Sequence, residues 1–416
     1  MLLLRFLALH GGTFFLRTAK VRRLFHHDAT LGIVTALVTG IIFLLRGRNY
    51  EHKFCGDDRL LFDDATRGRN YDLVICGDNE LLFDHAINRQ SPFGRLHFID
   101  PFGLFDLFNG YLAVFSRIVT KILAIGGSEY FTLRVFWFMS FTWTVIAICI
   151  ALVIGRFTRP YLGFLAAVTV AIMPFSNLVM MAQVNTLWMP AVLAIIITVV
   201  TRQYPRSRLL QFFTYVIFAL VTLSTLTSVV VLGYLIWLVY IHAKTVQHIE
   251  RKLVWVMGGP LVLHVLSYQS RGHKISPARF LHEILLVPYT FTPQFVREKI
   301  LEPKTIVENT ILYGIPILLG VTVFILVRLG NQSELRAQVK TAEHLFMVAL
   351  LLIVMLIVGN GWLNSHYLFI STGLFWIGVL LTCEAVGRGV SRFRMIPISV
   401  VLVMFLVQLS GTYFVI

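Results

Sequence analysis

The chain has 416 residues, 57% of them hydrophobic and 14% charged, whereas soluble domains carry roughly 25% charged residues. Its apolar residues fall in long unbroken runs, and a run of about 18 or more reads as a membrane helix, so a soluble globular class is excluded. The formal net charge of +15 invites a nucleic-acid partner, but most Lys and Arg sit in short loops between runs and no nucleic-acid motif is present, which excludes that class too.

Taken in chain order, residues 1–30 form a cytoplasmic or interfacial N-terminal segment. Met1–Thr18 is apolar, lacks a small-residue cleavage site and is followed by Lys20, Arg22 and Arg23, so it reads as retained rather than as a signal peptide. The first span is about Leu31–Leu45. Its N-terminal flank holds five Lys/Arg, which places the N-terminus inside and the following segment outside.

That following segment, about Gly47–Gly110, holds 11 of the 21 acidic residues. It also contains a tandem duplication, 46–66 and 67–87, identical at 13 of 21 positions. Arg46-Gly-Arg-Asn-Tyr50, Cys55-Gly-Asp-Asp58 and Leu60-Leu-Phe-Asp63 recur as Arg67-Gly-Arg-Asn-Tyr71, Cys76-Gly-Asp-Asn79 and Leu81-Leu-Phe-Asp84. Cys55 and Cys76 are the two copies of one position; a disulfide between them is one reading and duplication alone is the other. Cys149 and Cys383 fall inside spans as packing residues, and no Cys/His metal spacing occurs.

The next helical pattern, Leu104–Ile125, is interrupted by Asp106, Asn109, Arg117 and Lys121. Apolar residues on one face suit a helix lying at the interface rather than crossing. Span two is Phe131–Gly155. Later spans are about Pro160–Asn177, Asn185–Val200, Leu209–Ser224, Ser228–Ile241, Leu253–Ser267, Thr310–Val327, Leu345–Val358, Tyr367–Glu384 and Pro397–Tyr413. The expected fold is an all-α polytopic membrane protein of about 11 transmembrane helices, residues 31–416 forming one domain. Its long outside loops are 47–130, with the interfacial helix at 104–125, and 268–309. The alternation tests itself. Inside loops hold Arg156/Arg159, Arg202/Arg206/Arg208, Lys244/Arg251/Lys252, Arg328/Arg336/Lys340 and Arg388/Arg392/Arg394, whereas the short outside loops hold no Lys or Arg.

Collected by this topology, the outside face carries Asp57, Asp58, Asp78 and Glu80 in the first loop and Asn185 and Trp188 at a helix start. It also carries Arg271, His273, Lys274, Arg279, Arg297 and Lys299 in the later loop, then Asn360, Asn364, His366 and Tyr367. A carboxylate can take the proton of an acceptor hydroxyl, and Arg or Lys can hold a phosphate through charge-assisted contacts. Each element also has a plainer reading: Asp as turn or cap chemistry, basic residues against lipid headgroups, Asn185/Trp188 and His366/Tyr367 as caps and interfacial anchors. The functional case rests on their convergence on one face.

Asn109-Gly-Tyr-Leu112 with Arg117, on an interfacial helix after an acidic first loop, resembles the Tyr-Leu-x-x-x-x-Arg stretch of bacterial GT-C class integral-membrane glycosyltransferases. Asn185-Thr-Leu-Trp188 is similar to an Asn-x-x-Trp element in such proteins, and His366-Tyr-Leu-Phe369 to an Arg-Tyr-Phe element, with His in place of Arg. The resemblance implies transfer of a sugar from a polyprenyl-phosphate donor to a glycan or lipid-linked acceptor, on the outer face of a bacterial inner membrane. It implies an early Asp or Glu as general base: Asp58 with Asp57, or Asp78 with Glu80 in the second copy. Tyr111, Arg117, Asn185, Trp188, Arg271, His273, Lys274, Arg279, His366 and Tyr367 would bind substrate. No nucleotide motif is present. A divalent cation, Mg or Mn, is permitted by the Asp cluster without being demanded. Alternatives are an O-antigen-type polymerase or ligase, favoured by the six basic residues of 268–309, and a lipid-linked sugar transporter or flippase. The near absence of charge within the spans disfavours the transporter.

Overall fold

A computed structural model describes residues 28–48, 107–108, 111–112, 114–125, 131–172, 188–201, 207–225, 227–241, 247–267, 276–281, 336–360, 369–389 and 399. Apart from one two-stranded hairpin, the elements are helices. In chain order they are α1 (Asp28–Arg48), β1 (Leu107–Phe108), β2 (Tyr111–Leu112), α2 (Val114–Ala124), α3 (Phe131–Phe157), α4 (Pro160–Ala171) and α5 (Trp188–Ile195). There follow α6 (Arg208–Ser224), α7 (Thr227–Ile241), α8 (His248–Ser267), α9 (Arg336–Asn360) and α10 (Phe369–Gly389). Each expected span that falls on described residues is met by a helix. Thr310–Val327 lies outside them, as does Pro397–Tyr413 but for residue 399.

Among the described residues three helices are long and apolar enough to cross a membrane, over Asp28–Leu45, Leu133–Phe157 and Gln338–Val358, and Pro160–Ala171, Arg208–Ser224, Thr227–Ile241 and Ile370–Ala385 form shorter apolar helices. Their outer surface identifies the solvent they suit. A water-facing helix turns polar residues outward. In contrast, α1 turns out Ile33, Leu37 and Ile41, which are 61%, 62% and 56% exposed. Burying Leu31 and Phe43 against neighbours while presenting this stripe is the pattern of a helix solvated by hydrocarbon.

α1 and α3 run antiparallel. The start of α1 meets the end of α3 through Asp28 and Arg156, and Gly40 lies beside Thr144. Farther along, Phe43 stacks on Trp143 with ring centroids 6.3 Å apart. The intervening chain, 49–130, therefore leaves and rejoins the bundle at the same end. α3 turns into α4 around Arg159, and Pro160 takes a first-turn position where its missing N–H costs nothing. There the two backbones touch. A Cβ on Gly163 would stand 2.1 Å from the Ala151 carbonyl oxygen and 2.7 Å from the Gly155 nitrogen. Small residues that admit such approach are the usual cement between membrane helices.

The remaining helices complete one core. α5 continues into a π-helical stretch, Ile196–Thr201, where the Thr198 hydroxyl donates back to the Ala194 carbonyl at 2.7 Å. α7 turns back from the end of α6, and α8 packs against both. α8 starts earlier than the expected Leu253, because Gln247 and Glu250 build a cap: the Glu250 carboxylate accepts the Gln247 N–H at 2.9 Å. α9 also begins early, at Arg336 instead of Leu345, since the charged flank is made of good helix formers. It packs on α10, where the Phe346 ring fills the space above Gly378, and on α7 through Tyr234, whose hydroxyl pairs with His344 Nδ1 at 3.0 Å.

The expected interfacial helix Leu104–Ile125 is shorter than the pattern suggested. Leu107 pairs with Leu112 and Phe108 with Tyr111 in an antiparallel hairpin, and α2 starts only at Val114. The two residues between the strands are Asn109-Gly110, the dipeptide that a two-residue hairpin connection favours. This local turn chemistry outweighs the helical periodicity.

Candidate functional site

α2 has 11 residues, about 16 Å of helix, against roughly 30 Å of hydrocarbon. It is too short to cross. α3 begins six residues after residue 125, a stretch that reaches about 20 Å at most, while α3 itself is about 40 Å long. α2 therefore lies toward the Phe131 end of the bundle, away from Arg156.

The burial pattern of α2 departs from an ordinary amphipathic helix. Val114, Ser116, Arg117 and Val119 face inward, and Ile122 and Ile125 face outward. Arg117 is 3% exposed. A guanidinium is almost never fully buried without partners, so the sequence has spent an arginine on the interior of this end of the protein.

The helix is held there by a defined contact. The Phe115 N–H donates to Ser224 Oγ at 3.0 Å, joining the first turn of α2 to the last residue of α6. Two residues earlier, the Thr222 carbonyl accepts a hydrogen bond from His264 Nδ1 at 2.6 Å. A carbonyl only accepts, so Nδ1 carries a proton and donates in this contact. His264 thereby satisfies one of the last carbonyls of α6, which helix geometry leaves without an internal partner. The turn into α7 is also polar. The Thr227 N–H and hydroxyl both donate to Thr225 Oγ1, at 3.2 and 3.1 Å, and the Ser228 hydroxyl donates to the Thr225 carbonyl at 2.7 Å. β2 packs against both α6 and α8. Thus Arg117, His264 and the hydroxyls of Ser116, Thr222, Ser224, Thr225, Thr227 and Ser228, all buried, gather at one end of the bundle.

The opposite end is ionic. Asp28 pairs with Arg156 at 2.6 Å. The buried Glu384 of α10 accepts a hydrogen bond from the Tyr161 hydroxyl and pairs with Arg159 at 3.6 Å.

Of the residues singled out from sequence, the structure brings Tyr111 and Arg117 to the same end, on β2 and α2. Trp188 is the first residue of α5. Arg279 lies exposed on a short helical segment, 277–281, and its N–H donates to Ser276 Oγ at 3.2 Å. Asp57, Asp58, Asp78, Glu80, Asn185, Arg271, His273, Lys274, His366 and Tyr367 lie outside the described residues, as do Cys55 and Cys76. Cys149 and Cys383 carry free thiols within helices, as read from sequence.

Sequence reasoning missed His264 and Glu384, both buried inside expected spans, and the signal available was their interruption of apolar runs. Among the described residues no three His, Cys, Asp or Glu side chains converge as a metal site would require; the Asp cluster that could hold a divalent cation falls outside them. No known family model, no curated protein and no solved structure matches this chain.

Proposed function

We propose that the protein is a multi-pass membrane glycosyltransferase of GT-C type, taking a sugar from a polyprenyl-phosphate donor and placing it on a cell-envelope glycan or lipid-linked acceptor. The observation that carries this reading is Arg117. A guanidinium buried on a non-crossing helix, at one end of a hydrocarbon-facing bundle, is chemistry suited to a phosphate whose tail stays in the bilayer. The tandem acidic segment lies between α1 and this helix in the chain, and it leaves and rejoins the bundle at that same end.

In the proposed layout the chain crosses 11 times, with the N-terminus in the cytoplasm of a bacterial cell and the site on the outer face of the inner membrane. Helix directions support it. Arg156 and Arg159 fall at the end away from α2. So do Arg208 at the start of α6 and Arg251 and Lys252 at the start of α8, because Thr222 and His264, near the other ends of those helices, lie beside α2. The Lys/Arg-flanked termini thus share one end, as the positive-inside rule demands of a cytoplasmic face.

Chemically, a carboxylate of the first outer loop (Asp58 or Asp57, or Asp78 or Glu80 of the second copy) takes the proton of the acceptor hydroxyl. The acceptor oxygen bonds to the anomeric carbon, and the bond from that carbon to the phosphate oxygen breaks. Polyprenyl phosphate leaves with the electron pair, its charge held by Arg117 and by basic residues of the 268–309 loop. A transporter would place ionisable groups near the midplane. Here Arg117, His264, Glu250 and Glu384 all lie near helix ends, which favours surface chemistry. The deciding experiment is in-cell glycan analysis at matched expression, comparing Asp57/Asp58→Asn, Asp78/Glu80→Asn/Gln and Arg117→Gln. Loss of one sugar in the Arg117 variant and in one of the two carboxylate variants is expected. Unchanged glycans in all three would end the proposal.

A further inference from the structure

We infer that His264 is a positioning residue, a strut that holds α2, and with it Arg117, at the outer end of the bundle. It rests on the sugar-transfer reading only for what Arg117 binds; the strut itself is independent of it.

The contacts form a continuous chain. His264, three residues before the end of α8, donates through Nδ1 to the Thr222 carbonyl in the last turn of α6. That turn carries Ser224, whose Oγ accepts the N–H of Phe115 in the first turn of α2. Arg117 follows two residues later. Two of the links are single hydrogen bonds between different elements, the others run along the backbone, and His264, Ser224 and Arg117 are all buried. β2 packs on the same two helices that His264 joins. Without the imidazole, the buried Thr222 carbonyl loses a donor. The last turn of α6 is then free to fray, and Ser224 moves with it. α2 is not a crossing helix, and its first turn is tied to α6 through Ser224. Loosening Ser224 therefore releases the segment that orients the guanidinium.

The two ring nitrogens separate this role from direct chemistry. An Asn side-chain amide can place its N–H where Nδ1–H stands, whereas Gln places its amide nearer Nε2. A strut needs only the Nδ1 donor, so His264→Asn retains function and His264→Gln loses it. A residue acting on substrate through Nε2 would lose function in both.

The test uses the full chain in lipid nanodiscs, with hydrogen exchange of the peptide spanning residues 113–118 as readout. Affinity for farnesyl phosphate serves as a second readout. In His264→Gln and in Ser224→Ala, exchange of the first α2 turn should rise about three- to tenfold, the range expected for losing one net hydrogen bond. Farnesyl phosphate should bind more weakly in both, and His264→Asn should match the unaltered protein in both measurements. The inference is overturned if His264→Gln exchanges like the unaltered chain, if His264→Asn is as fast as His264→Gln, or if Ser224→Ala leaves α2 protected. Should His264→Gln fail to fold, the contrast between Ser224→Ala and His264→Asn decides alone: fast and slow supports the strut, any other pair overturns it. An unaltered protein that transfers no sugar while these exchange differences persist would sink the enzymatic reading and leave the strut standing.

Discussion

The Arg156 guanidinium meets the Asp28 carboxylate twice, through Nη2 at 2.6 Å and Nε at 3.0 Å, across 128 positions of sequence. The Arg156 side chain is 61% and the Asp28 side chain 53% exposed, so the pair contributes no more than about 1 kcal/mol. Its value is diagnostic: it ties the first turn of α1 to the last turn of α3, and so fixes that the chain between them begins and ends on one side.

That geometry predicts sidedness. A reporter inserted near residue 245, after α7, should report the same compartment as one near residue 158. A reporter near residue 127, between α2 and α3, should report the other. Thiol labelling from outside intact cells provides the check, and labelling of all three positions from the same side would refute the layout.

The contact between α3 and α4 predicts a sharp contrast among glycines. Gly163→Ala drives a methyl to 2.1 Å from the Ala151 carbonyl oxygen and should destabilise by about 1–3 kcal/mol as overpacking does, or prevent folding. Gly233→Ala, with nothing within 4 Å of the new Cβ, should be neutral or gain about 0.5–1 kcal/mol from helix propensity. Thermal unfolding in detergent measures both. Equal losses would contradict the close approach.

At the ionic end, the Glu384 carboxylate is 3% exposed and held by Tyr161 and Arg159. Tyr161→Phe removes a donor from a buried acceptor and should cost about 1–3 kcal/mol. Arg159→Ala should cost less, because Arg159 is half exposed and 3.6 Å away. The reverse order of melting temperatures would mean the ion pair, not the hydroxyl, holds the carboxylate.

Arg117→Lys keeps the charge and loses the planar fork that grips phosphate. If the proposed sugar transfer holds, it should fall about 10- to 100-fold, the worth of one charged hydrogen bond. Transfer within a factor of two of the unaltered protein would remove Arg117 from the proposed phosphate binding.

Much of the fold could be read from apolar run length and Lys/Arg placement. Phe131 as the start of α3, Ser224 as the end of α6 and Ile241 as the end of α7 all fall where the runs said, because hydrocarbon solvation leaves a helix few alternatives. The errors lie where local chemistry competes with periodicity. Asn109-Gly110 closes a hairpin inside an apparent helix, and the Gln247/Glu250 cap extends α8 into its charged flank. The site was half legible. Arg117 stood out as a charge interrupting an apolar face. His264 did not, since one neutral imidazole barely alters a run, and its partner is a main-chain carbonyl that no side-chain pattern reveals.

The clamp formed by Tyr161 and Glu384 reaches from α4 to α10, and the Asp28–Arg156 pair fastens α1 to α3 at the same end. Both fastenings stand at the end away from Arg117, so a lipid chain taken up in the proposed reaction would enter a part of the bundle that neither bond braces.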